Sequence, residues 1–258
     1  MANEKQQAGP GKAAAFDFLA PLKRKFAVFY RGEELLDDIF APLCSEPENL
    51  PRGHAIVREG EAYGDIFLLA SGWVERFKLL PDGRKQIVNF ALPGDLLCFD
   101  AGTFEYAHYS LESATDAVVC RIEVNGIDRI FAESTRLGRA ISWVTAHEEA
   151  LLVERIVSLG QRSALERTAH LFCEFWRRLQ ILGLTEGSSY ELPLTQQHLG
   201  DILGLSHIYL NRVLRRLREL NLIVLSRGSV RILDPKGLER LAGFEDEYLH
   251  FTEHMRRR

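Results

Sequence analysis

One glycine limits what the carboxyl-terminal third of this chain can become. Gly204 stands inside residues 196–214, QQHLGDILGLSHIYLNRVL, where a tight corner between two helices needs a residue that tolerates positive φ. Gly200 keeps the first of those helices slim enough to be crossed closely by the second. Leu199, Leu203, Leu205, Leu210 and Val213 fall on the faces that the pair must press together. Few motifs other than a helix-turn-helix account for all seven positions.

The second helix is predicted over 206–220, with Ser206 as its N-cap, and it carries two stripes. Leu210, Val213, Leu214 and Leu217 repeat at i, i+3, i+4, i+7, the spacing of a buried face. Ile208, Asn211, Arg212 and Arg215 repeat it two residues out of phase, about 200° around the helix. That second stripe points away from the core, as a helix lying in a DNA major groove must. Asn pairs bidentately with adenine and Arg with guanine, so Asn211 and Arg212 are the base-reading candidates.

Two β-rich runs follow, Leu222-Ile-Val-Leu and Val230-Arg-Ile-Leu, around the turn Ser226-Arg-Gly-Ser. They read as a hairpin, or wing. Between Leu205 and Arg231 stand six Arg (212, 215, 216, 218, 227, 231) against Glu219 alone, a local balance of +5 in a chain of net charge −4. Such a local excess is a phosphate-binding footprint. The residues assigned to DNA are Thr195 and Gln196 at the start of the first helix, Ser206, His207, Ile208, Asn211, Arg212, Arg215 and Arg216 on the second, and Arg227 on the wing.

At 258 residues, 46% hydrophobic and 26% charged, the chain suits two modest domains with proper cores. Its first fifteen or so residues look like a flexible arm without the apolar run of a signal peptide, and no later window reaches the length of a membrane span. A cytoplasmic protein with no membrane partner is expected. Cys44, Cys98, Cys120 and Cys173 are scattered, with no C-x-x-C pair and no His at metal-ligand spacing, so they read as ordinary thiols and no metal site is predicted.

From Pro51 to Ile122, glycines at 53, 60, 64, 72, 83 and 94 separate short apolar runs. Turn punctuation at that interval predicts an antiparallel sandwich or roll. Val88, Phe90 and Leu92 are expected on one face with Asn89 pointing away, and Trp73, Phe77 and Leu79 share a face interrupted by Glu75. Between Asp128 and Leu159 the period becomes helical. Leu137, Ile141, Val144, Leu151 and Leu159 mark a stripe in which Glu148 and Arg155 take seam positions. Helix-turn-helix proteins usually read two half-sites as dimers, so this stripe is assigned to pairing with a twin.

The order of parts and several local strings resemble the Crp/Fnr superfamily of bacterial transcription regulators. The strings are Arg58-Glu-Gly-Glu, Leu69-Ala-Ser-Gly-Trp-Val, Leu80-Pro-Asp-Gly-Arg-Lys-Gln-Ile, Leu92-Pro-Gly-Asp-Leu and Leu194-Thr-Gln-Gln-His-Leu-Gly-Asp-Ile-Leu-Gly-Leu-Ser. The likeness runs from about Leu35 to Gly243. It implies an α+β chain: a flexible arm (1–30), a cyclic-nucleotide-binding-like β-roll of the jelly-roll, double-stranded β-helix type (31–127), a dimerisation helix (128–162), a winged helix-turn-helix (163–245) and a tail (246–258). It also implies a homodimer on a near-palindromic operator, an effector site in the roll, and contact with RNA polymerase.

Departures from the family matter as much. Members that bind cyclic AMP use a Gly-Glu pair for the ribose and an Arg-Ser or Arg-Thr pair for the phosphate. Here Cys98-Phe99 replaces the first, the second falls near Ala107-His108, and no Arg lies between Arg84 and Arg121. A buried phosphate without a guanidinium would be uncompensated, which argues against cyclic AMP. Cys98, Phe99, His108 and Tyr109 are the residues expected around any effector. Cys120 matches a cluster-ligating cysteine of the oxygen-sensing Fnr branch, but only Cys44 precedes Cys98, so a four-thiolate iron–sulfur site is not supported. No cofactor is assigned; haem stays open, with His54, His108 and His147 in the sensory half. In the reading helix the family's Glu and Ser or Gly are replaced by Ile208 and Asn211, and only Arg212 is kept.

Three functions follow from these features. The first is a dimeric transcription regulator, its affinity set by an unidentified effector in the roll. The second is the same protein without an effector, controlled by abundance or by a protein partner. The third, an enzyme using the roll as a regulatory module, lacks a Ser-His-Asp set, a Gly-rich phosphate loop or a metal spacing in the carboxyl-terminal half, and no enzymatic activity is expected.

Overall fold

The structure, a computed structural model, describes residues 16–27 and 36–249. The expected arm over 1–30 is corrected at its end. Residues Ala20–Ala27 form helix α1, and Leu19, Leu22 and Phe26, spaced at i, i+3 and i+7, enter the core of the roll. Residues 1–15 and 28–35 lie outside the described part. A π turn (Leu36–Phe40) and a 3₁₀ turn (Ala41–Leu43) then lead into the strands.

Strands β1 (Glu48–Leu50), β2 (Ala55–Val57), β3 (Asp65–Ser71), β4 (Val74–Leu79), β5 (Lys85–Ala91), β6 (Leu96–Leu97), β7 (Ser110–Ser113) and β8 (Ala117–Glu123) form the roll. Two four-stranded sheets, ordered β1-β8-β3-β6 and β2-β7-β4-β5, face one another with every pairing antiparallel. The alternation along β5 is not the one expected. Phe77 pairs with Ile87 and Arg76 with Asn89, so Val88 is a bulge and the phase slips by one residue. Ile87 therefore shares a face with Phe90 and Leu92. Asn89 is buried, where its carbonyl oxygen accepts from Arg178 Nη1 (3.4 Å), and Leu79 is exposed.

A helix over 128–162 was expected; two occur. Helix α2 (Val124–Glu133) stops at Ser134, whose hydroxyl then caps the long helix α3 (Thr135–Gln161) by accepting from Leu137 N (3.1 Å). At 1.5 Å per residue α3 is about 40 Å long. The stripe assigned to dimer pairing is corrected here, because Leu137, Ile141 and Val144 are buried in the protomer's own roll core and Leu151 in the adjoining core. A different face of α3 remains open. Val153, Ile156 and Val157 are exposed, Ile156 by 70%, with exposed Ser142, Ala146, Glu149 and Gly160 continuing a four-and-three spacing. The two charges in the inward stripe meet buried partners: Arg76 Nη2 donates to both oxygens of Glu148 (3.2 and 2.9 Å), and Arg155 Nη2 to both of Glu174 (3.2 and 3.3 Å).

The last part comprises α4 (Ala164–Ile181), β9 (Thr185–Glu186), β10 (Ser189–Glu191), α5 (Gln196–Leu203), α6 (His207–Glu219), β11 (Ile223–Ser226), β12 (Ser229–Ile232) and α7 (Pro235–Ala242). Helix α4 opens on a capping box between Ser163 and Glu166. The tail expected from 246 is anchored at first, with Leu249 buried and Tyr248 packed on the core. The two halves are not separate bodies. Trp73, Phe77, Ile87, Phe90 and Leu92 of the roll lie in one apolar cluster with Phe175, Trp176, Leu199 and Ile202, and Trp73 meets Phe175 edge-on at 5.1 Å.

Candidate nucleic-acid interface

Helix α5 is set by its caps. Thr195 Oγ1 accepts from His198 N (3.2 Å), and His198 Nδ1 accepts from Thr195 N (3.2 Å). At the other end Gly204 takes φ +59°, ψ +40°, the left-handed conformation that lets the chain turn directly into α6. A Cβ at Gly200 would lie 2.9 Å from Leu205 O, so the corner also requires a bare backbone on α5. Ser206 then starts α6, its hydroxyl accepting from Tyr209 N (3.3 Å).

Helix α6 divides as its sequence implies. Leu210, Val213, Leu214 and Leu217 are buried, while Ser206, His207, Ile208, Arg212, Arg215 and Arg216 are exposed, Ile208 by 68%. Asn211 is half-buried, and its amide nitrogen donates to His207 O (3.1 Å), within 3.4 Å of His207 Nδ1. The amide that would read adenine is thus tied to its own helix in the protein alone. Thr195 and Gln196 are exposed at the start of α5. The wing pairs Ser226 with Ser229 around Arg227-Gly228 and holds Arg227 in solvent. Among the described residues Arg216 pairs with Glu219 (3.4 Å), whereas Arg212, Arg215, Arg218, Arg227 and Arg231 make no ion pair. Unneutralised guanidinium groups on one helix and its hairpin are what phosphates require. Tyr209, 48% exposed and three residues before Arg212, is a further contact candidate that sequence reasoning passed over. Its polar ring broke neither stripe, so periodicity carried no signal for it.

The back of this unit leans on the roll. Gln86 Nε2 donates to Asp201 O (2.8 Å), and His198 packs edge-on to Phe90 (6.1 Å) with Nε2 4.0 Å from buried Glu75 Oε2. Burial holds His198 down at about 4, helped by the charges of Arg52 and Lys85.

Of the four residues expected around an effector, Cys98, Phe99 and Tyr109 share the roll core, with Cys98 and Tyr109 near enough to interact, and His108 stands outside it. Cys98 is fully buried in a left-handed conformation (φ +56°), and Phe99 is half-buried. Tyr109 OH donates to Asp100 Oδ1 (2.6 Å), while His108 is exposed and edge-on to Phe104. The guanidinium facing this region comes from an unexpected place. Arg76 on β4 lies 4.6 Å over the Tyr109 ring, with its charge already met by Glu148 of α3. A phosphate here would have to displace Glu148 and would meet Asp100, so these residues do not fit a cyclic nucleotide held in the usual way. The thiols are raised by burial, Cys44 and Cys98 to about 12 and Cys120 to about 11, which disfavours the thiolate needed for metal or redox chemistry. Among the described residues no group of three His, Cys, Asp or Glu could hold a metal ion, and no helix is long and apolar enough to cross a membrane.

Comparison with known proteins gives two family matches: a Crp-like helix-turn-helix domain over residues 166–241 and a cyclic nucleotide-binding domain over residues 47–134. The transcriptional activatory protein AadR of Rhodopseudomonas palustris is 35% identical over 73% of this chain and 77% of its own. The nitrogen fixation regulation protein FixK of Bradyrhizobium diazoefficiens is 31% identical over 74% and 79%. In fold, the chain is similar to FixK2 from Bradyrhizobium japonicum, with a TM-score of 0.68 over 77% of this chain and 96% of that one at 24% identity.

Proposed function

The chain belongs to the Crp/Fnr family of DNA-binding transcription regulators, and from that premise we propose that it acts as a homodimer whose two α6 helices enter successive major grooves of a near-palindromic operator. The observation that carries this is the outward face of α6, with Arg212 and Arg215 in solvent over a buried Leu210-Val213-Leu214-Leu217 seam. Two protomers pair through the open face of α3, centred on Ala146, Val153, Ile156 and Gly160, whose small and β-branched residues suit close helix packing. Half-sites then lie about 34 Å apart, one turn of B-form DNA. Thr195, Gln196, Ser206 and His207 hold phosphates near the groove edge, Arg227 holds one beside the wing, and Ile208 contacts a thymine methyl.

The protein works in the cytoplasm and recruits RNA polymerase, a reading supported by relatives that are named as activators. Its roll binds no cyclic nucleotide in the family's usual manner, since Arg76 is engaged by Glu148 and, among the described residues, no second guanidinium faces Tyr109. Haem, with His54, His108 or His147 as axial ligand, is the competing cofactor reading; His54 and His108 are exposed, and His147 is buried and stacked on Trp143. An absorbance spectrum of the purified protein without a Soret band, and no thermal stabilisation by cyclic nucleotides, are expected. The dimeric reading is tested by sedimentation of the protein with operator duplexes. Two protomers per duplex support it, and one protomer, or equal affinity for unrelated duplexes, refutes it.

A further inference from the structure

Where the roll meets the winged unit, buried charges converge on Asp95 in the turn between β5 and β6. Its carboxylate accepts from Leu92 N (2.7 Å), from Arg178 Nη2 (3.3 Å) and from the ammonium group of Lys25, and both cationic side chains are themselves buried. Arg178 belongs to α4 and also donates to Phe90 O (2.9 Å) of β5. Lys25 belongs to α1. One residue earlier, exposed Arg24 donates through Nη1 to Leu182 O (2.8 Å), the carbonyl at the carboxyl end of α4. Helix α1 therefore grips both halves at once: its apolar face enters the roll core, Arg24 reaches the winged unit, and Lys25 shares with Arg178 the carboxylate between them.

The turn is shaped to receive this helix. Gly94 has φ +83°, and a Cβ there would lie 2.8 and 2.9 Å from the backbone carbon and oxygen of Pro21, so the backbone of α1 fills the space a side chain would need. Taking an ammonium group out of water is unfavourable, and burial lowers the proton affinity of Lys25 despite Asp95. An apolar side chain at position 25 would fill the roll core with less desolvation. What the charge adds is orientation, because it ties α1, the β5–β6 turn and α4 to one carboxylate.

We propose that α1 is an intramolecular clamp and that Lys25, Arg24 and Arg178 are positioning residues which fix the angle between the roll and the winged unit, and hence the separation of the two reading helices. The inference rests on the dimeric reading above. Its test compares wild type, Lys25→Met and Arg24→Gln on duplexes with identical half-sites whose spacing changes one base pair at a time. Lys25→Met keeps the stem and leaves Asp95 paired with Arg178; Arg24→Gln alters an exposed side chain. Wild type should prefer one spacing. In the variants the melting temperature and non-specific binding should hold, while the preference for that spacing falls by about fivefold or more, the lower range of coupling between linked sites. An unchanged preference, or a loss of affinity by the same factor at every spacing, overturns the clamp. Should Lys25→Met fail to fold, Arg24→Gln decides alone. If wild type shows no spacing preference, the dimeric reading fails, and the clamp is judged without DNA: amides of residues 179–182 must exchange hydrogen faster in Arg24→Gln, and equal exchange overturns it.

Discussion

Individual side chains divide into those whose role is local and those whose partner is remote. Gly204 and Ser206 were legible in the sequence because their constraints, a left-handed corner and an N-cap, act within four residues. Arg76 was not, because Glu148 lies 72 positions away and nothing near Arg76 announces it. The same distinction governs what substitution should do on DNA. Arg212→Ala removes a candidate base contact and should lower specific affinity by about 1–3 kcal/mol while relaxing preference at one base pair of each half-site. Arg227→Ala removes a phosphate contact from the wing, so titrations across salt concentration should show all sequences weakened alike and a salt slope flatter by about one. If the two variants behave alike, the division of α6 and the wing into reading and holding roles is wrong.

Along the elements, periodicity found α3 but chose the wrong side of it. Two stripes with the same four-and-three spacing run along this helix, and the leucine-rich one looked like the seam. The roll of the same protomer takes that stripe, leaving the smaller set around Val153 and Ile156 open; which stripe faces inward depends on where the roll docks, a long-range fact. The bulge at Val88 and the break at Ser134 escaped for a related reason, since neither residue is a Gly or Pro that would mark an interruption. Ile156→Asp should therefore yield folded monomers in sedimentation equilibrium, with operator binding lost. Ile141→Ala should leave the dimer intact yet destabilise the protomer by about 2–5 kcal/mol in denaturant, as cavities in packed cores do. The reverse pattern would restore the original assignment of the seam.

At the scale of the whole molecule, one apolar cluster spans the roll and the winged unit, so each half draws stability from the other. Two histidines beside that cluster make it acid-sensitive. Burial holds His198 at about 4 and His170 at about 3, against an ordinary 6.5. The unfolded chain takes up protons near 6.5 that the folded protein refuses. Stability is thus fully present above pH 6.5 and falls as pH drops toward 4, by up to about 1.4 kcal/mol per pH unit for each histidine. The raised carboxyls of Glu75 and Glu148 oppose this in part, since the folded protein retains protons there. Denaturation midpoints measured from pH 7 to 4.5 should fall, and should fall less in His198→Gln; a flat profile in wild type would contradict the burial of these rings. Regulation by this protein turns on α6 presenting its arginine face to DNA in duplicate. Selection from a random duplex pool, run side by side with wild type and Arg212→Ala, tests it most directly. Wild type should enrich an inverted repeat with half-sites about 10 base pairs apart, and the variant the same repeat with one position in each half left degenerate. No enriched repeat, or an identical repeat from both proteins, would contradict it.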